Sequence, residues 1–181
     1  MLVELINSGA VQFRKADGFS ALHAAASTGA ADAVVLLLPL TTESLNERDS
    51  GGGGRAPIHW ACQEGHDDVI KHLIDAGADV ESVSDDQFRP LRIAVAEGHL
   101  MVVRLLVAAG ADVTRQVKRA DGGLAPSALH DAAAWQQHEI CKFLLAEGAV
   151  PDAVDEDGQT PYDHALLALK PAKAGVMFSR V

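Results

Sequence analysis

Apolar residues recur along this chain with the spacing of short amphipathic helices, and the stretch Ala56–Val80 shows the pattern most completely. An apolar helix is expected from Ile58 to about Glu64, and Gly65 ends it in a left-handed conformation. A second helix with apolar residues on one face follows and ends at Gly77. Two helices this short cannot bury their apolar faces against each other alone, so the pattern predicts neighbouring units of the same kind.

The same unit recurs along the chain. With the histidine of Pro-Ile-His as the anchor, equivalent positions are separated by 36, 33, 38 and 33 residues: His23, His59, Arg92, His130 and Asp163. A second anchor is the residue that stops the first helix of each pair. Successive anchors of this kind are separated by 36, 33 and 38 residues and are Gly29, Gly65, Gly98 and Gln136. Agreement between two independent anchors indicates a true internal repeat.

The anchors lie in short motifs, Ser-Ala-Leu-His at 20–23 and 127–130 and Pro-Ile-His at 57–59. In period and motif the chain resembles the ankyrin repeat, which has about 33 residues and the signature Thr-Pro-Leu-His-x-Ala. The resemblance covers about residues 2–169. It implies an all-α fold, a solenoid of stacked antiparallel helix pairs with projecting β-hairpin-like fingers. We divide this single domain into four repeats between two partial ones: 1–16, 17–49, 50–83, 84–116, 117–154 and 155–181.

The two ends of the array are irregular. Residues 2–9 match the second helix of a repeat whose first helix would precede Met1. Either the chain is a fragment of a longer array, or this half-repeat packs on repeat one unaided. At the other end, Pro171 is expected to stop the last inner helix. The apolar residues at 176–178 then either fold back over the exposed end or belong to a disordered tail.

Composition excludes several classes of function. A net charge of −10 over 181 residues argues against binding nucleic acid through its phosphates. No apolar run approaches the length of a membrane span, and no signal segment begins the chain. Two cysteines, Cys62 and Cys141, in different repeats suggest free thiols in a reducing compartment. We therefore expect a soluble monomer in the cytoplasm, with the nucleus as the second location.

Extra residues are confined to the connections between repeats. We count the residues from the end of the second helix of each repeat to the anchor of the next repeat. Two of these connections have 15 residues, whereas the second and fourth connections have 18 and 20. The resemblance implies that these connections are fingers which, with the inner helices, line a concave binding face, where insertions often concentrate. Gly51–Gly54 has neither the preceding strand nor the following Gly-Lys-Ser/Thr of a phosphate loop, so we expect a flexible finger tip.

Eight histidines raise the question of a metal or catalytic site. The resemblance implies that five of them are structural: His23, His59, His66, His99 and His130. The His/Cys pairs at helical spacing, 62/66 and 138/141, belong to different repeats, whereas zinc requires three or four ligands together. No Gly-x-Ser-x-Gly nucleophile motif occurs. We expect no metal, no cofactor and no catalytic residue.

Repeats three and four depart from the family pattern. Arg89 and Arg92 replace the favoured Thr and His, which puts the local turn of repeat three in doubt. Asp131 replaces an apolar residue, and Gln136 replaces glycine at a left-handed position, where a side chain costs backbone strain. Ser127 is expected to cap the first helix of repeat four.

Seven residues are assigned to a partner-binding surface: Trp135, Phe88, Arg115, Lys118, Arg119, Arg55 and Phe19. Trp135 falls in the variable pair that the resemblance places on the concave face, where an exposed tryptophan is a candidate interface anchor. The alternative is that Trp135 covers a hole left by its irregular neighbours. The basic residues lie on fingers or turns, where they either steer a partner or form an ordinary solvated surface.

These observations favour a non-enzymatic module that binds a protein partner on the concave face. The alternative is an ankyrin-repeat segment of a larger multidomain protein with a structural or targeting role. The sequence does not identify the partner.

Overall fold

The computed structural model describes residues 18–40, 44–118 and 122–169. In these ranges the chain forms nine α-helices: Ala21–Thr28 (α1), Ala31–Leu37 (α2), Pro57–Glu64 (α3), Asp67–Asp75 (α4), Pro90–Ala96 (α5), Leu100–Ala108 (α6), Ala128–Ala134 (α7), His138–Ala146 (α8) and Pro161–Leu169 (α9). The predicted half-repeat at 2–9, most of the first connection and the segment from Pro171 lie outside the described residues.

The helices stack in two layers. The odd-numbered helices α1 to α9 contact one another in chain order and form an inner row. Helices α2, α4, α6 and α8 form an outer row, and each packs on the inner helix that precedes it. Within the described ranges no strand forms, and the β-type pairing is one isolated bridge between Lys118 and Leu124 in the fourth connection. The predicted solenoid of paired helices is confirmed.

Glycine and proline set the helix boundaries as expected. Pro57 and Pro90 occupy the first position of α3 and α5, where a missing N–H leaves no hydrogen bond unmade. Gly65 ends α3 with φ at 75°, in the left-handed region. Gln136 takes this conformation after α7 with φ at 56°, as predicted. In repeat one α2 ends early, at Leu37, because Pro39 interrupts it.

Small side chains allow the inner helices to approach closely. Five of them have no solvent-exposed surface and lie where neighbouring inner helices meet: Ala26, Ala61, Cys62, Ala94 and Ala132. Larger apolar residues fill the space between the layers, and Ile70, Leu106 and Leu144 are fully buried on three successive outer helices. The core is therefore continuous along the array, as a solenoid requires.

One backbone hydrogen bond closes each described finger; the donor precedes the finger tip in three of them and follows it in the connection before α7. The four bonds join Asp49 N to Arg55 O, Ser84 N to Phe88 O, Ala125 N to Val117 O, and Asp155 N to Gln159 O. They enclose five, three, seven and three residues in turn. Most of the extra residues of the second and fourth connections therefore lie at the finger tips.

A buried imidazole joins each regular repeat to the finger that follows it. The His59 ring is inaccessible to solvent; its Nδ1 accepts the backbone N–H of Ala56 at 3.1 Å, and its Nε2 lies 3.1 Å from the carbonyl oxygen of Ser82. Because a carbonyl only accepts, Nε2 carries the proton and the ring is neutral. His23 and His130 make the same bonds, with Nε2 3.0 Å from the carbonyl oxygens of Arg55 and Gln159.

These imidazoles make the free energy of unfolding depend on pH. Burial lowers the pKa of His59 from 6.5 to about 4, and it also lowers the pKa of His23 and of His130. Above pH 6.5 neither the folded nor the unfolded chain holds the His59 proton. Between pH 6.5 and about 4 the unfolded chain binds a proton that the folded chain excludes, so stability falls as the pH falls.

We expect the urea midpoint of the wild type to drop as the pH falls from 6.5 to about 4. A pKa difference of this size at His59 alone corresponds to about 3 kcal/mol of unfolding free energy. His59→Gln removes one titrating group, so its midpoint should fall less steeply over the same range. His138→Gln, at an exposed position that starts α8, serves as the control. Equal slopes for His59→Gln and the wild type would contradict the neutral buried ring.

Candidate functional site

A second set of hydrogen bonds aligns the carboxyl ends of the inner helices. Nε2 of His99, in the turn after α5, lies 3.1 Å from the carbonyl oxygen of Gln63 near the end of α3. His66 makes the equivalent contact with the carbonyl oxygen of Ser27 at 3.3 Å. In repeat four Gln137 replaces the histidine, and its amide donates to Ala96 O at 3.5 Å. Equivalent positions of successive repeats therefore lie side by side at this edge.

One column at this edge is exposed to solvent. Its members end, or directly follow, the inner helices of the four described repeats: Thr28, Glu64, Glu97 and Trp135. We call this column the inner-helix ladder. Thr28 hydrogen-bonds to its own helix, with its hydroxyl 2.8 Å from Ala24 O. The other three side chains present two carboxylates and one indole ring on neighbouring repeats.

Trp135 is the aromatic member of the ladder. Trp135 directly follows α7, and 66% of its surface is open to solvent. The alternative, that Trp135 covers a hole beside Asp131 and Gln136, is wrong. A side chain that filled such a hole would be buried, whereas the Trp135 ring is exposed. Exposure of a large aromatic ring is the feature expected of an interface anchor, and the anchor role itself stays a prediction.

The space beside Asp131 is filled by an ion pair that sequence reasoning missed. Arg92 Nε lies 2.5 Å from Asp131 Oδ2, and Arg92 Nη2 lies 3.2 Å from Oδ1, a two-pronged contact between repeats three and four. Both side chains are largely buried, 13% and 16% exposed. Each residue departs from the family pattern in its own repeat, and the two departures compensate each other. The signal was present in the sequence as two coincident substitutions of opposite charge in adjacent repeats.

The Arg92 guanidinium also explains the position of Phe88. Its central carbon lies 4.6 Å from the centre of the Phe88 ring, and the ring is half-buried against the core. Phe88, which was assigned to the partner-binding surface, therefore also has a packing role. A contribution of its exposed edge to partner binding stays a prediction.

Arg55 and Phe19 lie in a cluster around Trp60. Phe19 meets the Trp60 ring edge-on at 5.6 Å between ring centres, and the Arg55 guanidinium lies 5.3 Å from the centre of the same ring. Arg55 also donates a hydrogen bond to the side chain of Gln63. Both residues are half-buried and support repeats one and two, rather than projecting from the fingers.

The cations of the fingers are mostly paired with acids of neighbouring fingers. Glu81 binds both Arg89, at 2.8 Å, and Arg115, at 3.2 Å. Arg48 pairs with Asp85. Lys118 is exposed next to the insertion of the fourth finger, whereas Arg119 lies outside the described residues. Of the three basic residues assigned to this finger, Arg115 is thus already engaged by Glu81.

The glycine-rich finger is packed, which contradicts the expected flexible tip. The Asp49 carboxylate accepts the Gly52 N–H and the Trp60 indole N–H, each at 2.8 Å. Gly54 is buried with φ at 63°, and its carbonyl accepts from Arg48 at 2.7 Å. A side chain at Gly52 would come within 2.5 Å of the Trp60 ring. The glycines are needed because backbone and side chains approach each other closely here.

One His/Asp/His group has the composition of a metal site: His130, Asp155 and His164, whose ligand atoms lie within 4.8 Å of one another. Its hydrogen bonds are those of the repeat framework. His164 Nε2 contacts Asp155 Oδ2 at 2.8 Å, in the way that Trp60, at the equivalent position of repeat two, contacts Asp49. His130 Nε2 donates its proton to a carbonyl and offers no lone pair to a metal.

The cysteines are free, and burial makes both less reactive. Cys62 is completely buried and Cys141 is half-buried, and desolvation raises the pKa of each thiol above its usual value. Cys141 lines a small apolar pocket of about 180 Å³ between α8 and α9. Raised thiol pKa values disfavour the thiolate that nucleophilic chemistry needs.

We expect Asp131→Ala and Arg92→Leu each to lower the unfolding free energy by about 2 kcal/mol, because each leaves a desolvated charge without its partner. In a double-mutant cycle the two effects should be non-additive by at least about 1 kcal/mol. Denaturant unfolding of the four proteins measures this coupling.

The exposed pair Lys142/Glu139 on α8 is the matched control, with a distance of 2.8 Å but side chains more than two thirds exposed. Its two single substitutions should be additive within error. If the effects of Arg92→Leu and Asp131→Ala on the unfolding free energy were also additive, the buried contact would not couple the two repeats.

Comparison with known families agrees with this architecture. A family model described as ankyrin repeats in three copies matches residues 1–84 and 42–117, and a model of the single ankyrin repeat matches residues 127–156. Within the described residues no helix is long and apolar enough to cross a bilayer.

Several curated proteins are similar to parts of the chain. A transient receptor potential cation channel subfamily A member 1 homolog of Caenorhabditis elegans is 36% identical over 149 residues, 82% of this chain and 12% of the channel. Protein phosphatase 1 regulatory subunit 27 of Homo sapiens is 36% identical over 69 residues, 38% of this chain and 43% of that subunit. The E3 ubiquitin-protein ligase Ufd4 of Drosophila melanogaster is 38% identical over 133 residues, 68% of this chain and 3% of the ligase. The chain spans less than half the length of each.

Proposed function

This chain belongs to the ankyrin repeat family, and on that premise we propose that it is a non-enzymatic module that binds a partner protein across the inner face of repeats three and four. Ankyrin repeats are protein-interaction modules, and their fold is not a catalytic one. The observation that carries the proposal is the exposure of Trp135, 66% open to solvent on that face. A tryptophan in water has unburied apolar surface that a partner can cover.

The neighbouring finger supports the same location. The fourth finger is the longest of those described, and Lys118 projects from it into solvent. Arg119 follows it in the sequence, and charges at the rim of an interface increase the rate of encounter more than the final affinity. The preformed stack of helices favours binding with little rearrangement.

The absence of catalysis is part of the proposal. The imidazoles that general base chemistry would require are neutral and already hydrogen-bonded to backbone groups, as at His59 and His130. The two thiols are buried or half-buried and have raised pKa values. These groups stabilise the repeat stack and are not arranged around a common substrate position.

A second candidate function is a targeting or structural segment within a larger protein. It is favoured by the relatives, because the matched regions make up only 12% of the channel homolog and 3% of the ligase. In that case the inner face of the array would contact another domain of the same polypeptide.

We place the module in the cytoplasm, with the nucleus as the alternative, and expect it to act as a monomer. The two free cysteines support a reducing compartment, since neither lies in a disulfide.

Capture of the partner from lysate of the source cell, followed by calorimetry with the purified partner, tests the proposal. Trp135→Ala should weaken binding by more than about 1 kcal/mol, because the ring is expected to be buried in the complex. Lys142→Glu is the control, since Lys142 lies on the outer helix α8 and is 73% exposed. Retained binding by Trp135→Ala together with lost binding by Lys142→Glu would place the interface on the outer face instead.

A further inference from the structure

Two acids of the inner-helix ladder lie at positions where negative charge is unfavourable. Glu64 is the last residue of α3, and Glu97 caps the end of α5. The carboxyl end of a helix carries partial negative charge, so a carboxylate there is repelled by the helix dipole. Two such acids in neighbouring repeats therefore weaken the fold slightly, which suggests that they serve a purpose other than stability.

Neither acid has an ion-pair partner among the residues that the structure describes. Glu64 Oε1 accepts a hydrogen bond from the amide of Gln63 at 3.2 Å, and Gln63 in turn accepts one from Arg55. Glu97 is exposed and makes no side-chain hydrogen bond within these ranges. Among the finger cations, Arg115 pairs with Glu81 and Arg48 pairs with Asp85, and Lys118 pairs with neither ladder acid in the described residues. The ladder thus presents two uncompensated carboxylates, each with the negative end of a helix behind it.

Hydrogen bonds between successive repeats hold the ladder in register. The contacts of His99 with Gln63 O and of Gln137 with Ala96 O hold the ends of α3, α5 and α7 in register. Adjacent packed helices lie about 8–10 Å apart, so Glu64, Glu97 and Trp135 should follow one another at about that interval. The order along the stack is acid, acid, indole.

We infer that the ladder recognises an extended cationic segment of the partner, with arginine or lysine at positions i and i+3 and an apolar residue at i+6. This inference rests on the proposed function and names the chemistry of its partner. A polyproline II segment has three residues per turn and rises about 3.1 Å per residue, so every third side chain lies on one face at about 9 Å intervals. That repeat matches the interval of about 8–10 Å expected for the ladder.

Each position of such a segment meets a suitable group. The two cations meet Glu64 and Glu97, where the carboxylate and the helix end attract positive charge together. The apolar residue covers the exposed face of the Trp135 ring. A nucleic acid is disfavoured at this surface, because its phosphates would meet the two carboxylates.

Synthetic peptides test the inference without knowledge of the natural partner. The probe is a fluorescent peptide of about 13 residues, in a Pro/Ser/Ala background, with Arg at i and i+3 and Leu at i+6. A peptide of identical composition with the two Arg adjacent is the spacing control. Fluorescence anisotropy should give affinity for the probe at least about threefold tighter than for the control peptide, and the affinity should fall with added salt.

Substitutions in the protein locate the contact. Glu64→Gln and Glu97→Gln should each weaken probe binding by about threefold, and Trp135→Ala by about tenfold. Glu147→Gln, at the exposed end of the outer helix α8, should leave it unchanged. Glu64→Gln and Glu97→Gln should leave the melting temperature unchanged or raise it. If the two acids had only a structural role, the substitutions would lower it.

The outcomes separate this inference from the proposed function. Equal affinity for the two peptides, or probe binding that ignores both Glu64→Gln and Glu97→Gln, would overturn the inference. If the natural partner nevertheless fails to bind the Trp135→Ala variant, the proposed function still holds. Probe binding that depends on all three ladder residues supports the inference directly.

Discussion

The neutral imidazole between each regular repeat and its finger is the interaction on which the rest of the structure depends. Each helix has only seven to nine residues, too few to be stable alone in water. Nδ1 of His59 fixes the start of α3, while its Nε2 proton is donated to the finger carbonyl of Ser82. One buried side chain therefore sets the helix start, the finger position and the register of the next repeat. Desolvation keeps the ring neutral, which both bonds require.

Repeat three shows what happens when this interaction is replaced. Arg92 occupies the histidine position and is held instead by Asp131 of repeat four and by the ring of Phe88. The charge that disrupts one repeat is compensated in the next, so the stack continues without a break. Gln136 adopts the left-handed conformation after α7, and the ring of Trp135, which lies between the helix and this turn, is in solvent. The candidate interface thus lies in the part of the array where the repeat pattern is least regular.

Most of the fold could be predicted from the sequence, because its signals are local. Proline at helix starts, glycine at helix ends and the spacing of apolar residues each act within a few residues, and together they located the helix pairs. The left-handed Gln136 followed from the same rules, and a proline likewise accounts for the early end of α2 before Pro39. Contacts between repeats could not be read in this way. The Arg92/Asp131 pair and the packing of Gly52 against Trp60 join residues whose proximity only the stacked structure reveals. The candidate site was predicted in part. Trp135 was identified from its repeat position, whereas the acids at Glu64 and Glu97 gained meaning only when the structure showed that none of the described cations forms an ion pair with them.

The central claim is that buried, neutral imidazoles hold the repeats in register. Long-range proton–nitrogen NMR correlation of the histidine side chains, at neutral pH and again near pH 5, tests it most directly. We expect His23, His59 and His130 to carry their proton on Nε2, and we expect His59 to stay neutral at the lower pH, consistent with a pKa of about 4. A doubly protonated His59 ring near pH 5, or a proton on Nδ1 at neutral pH, would contradict it.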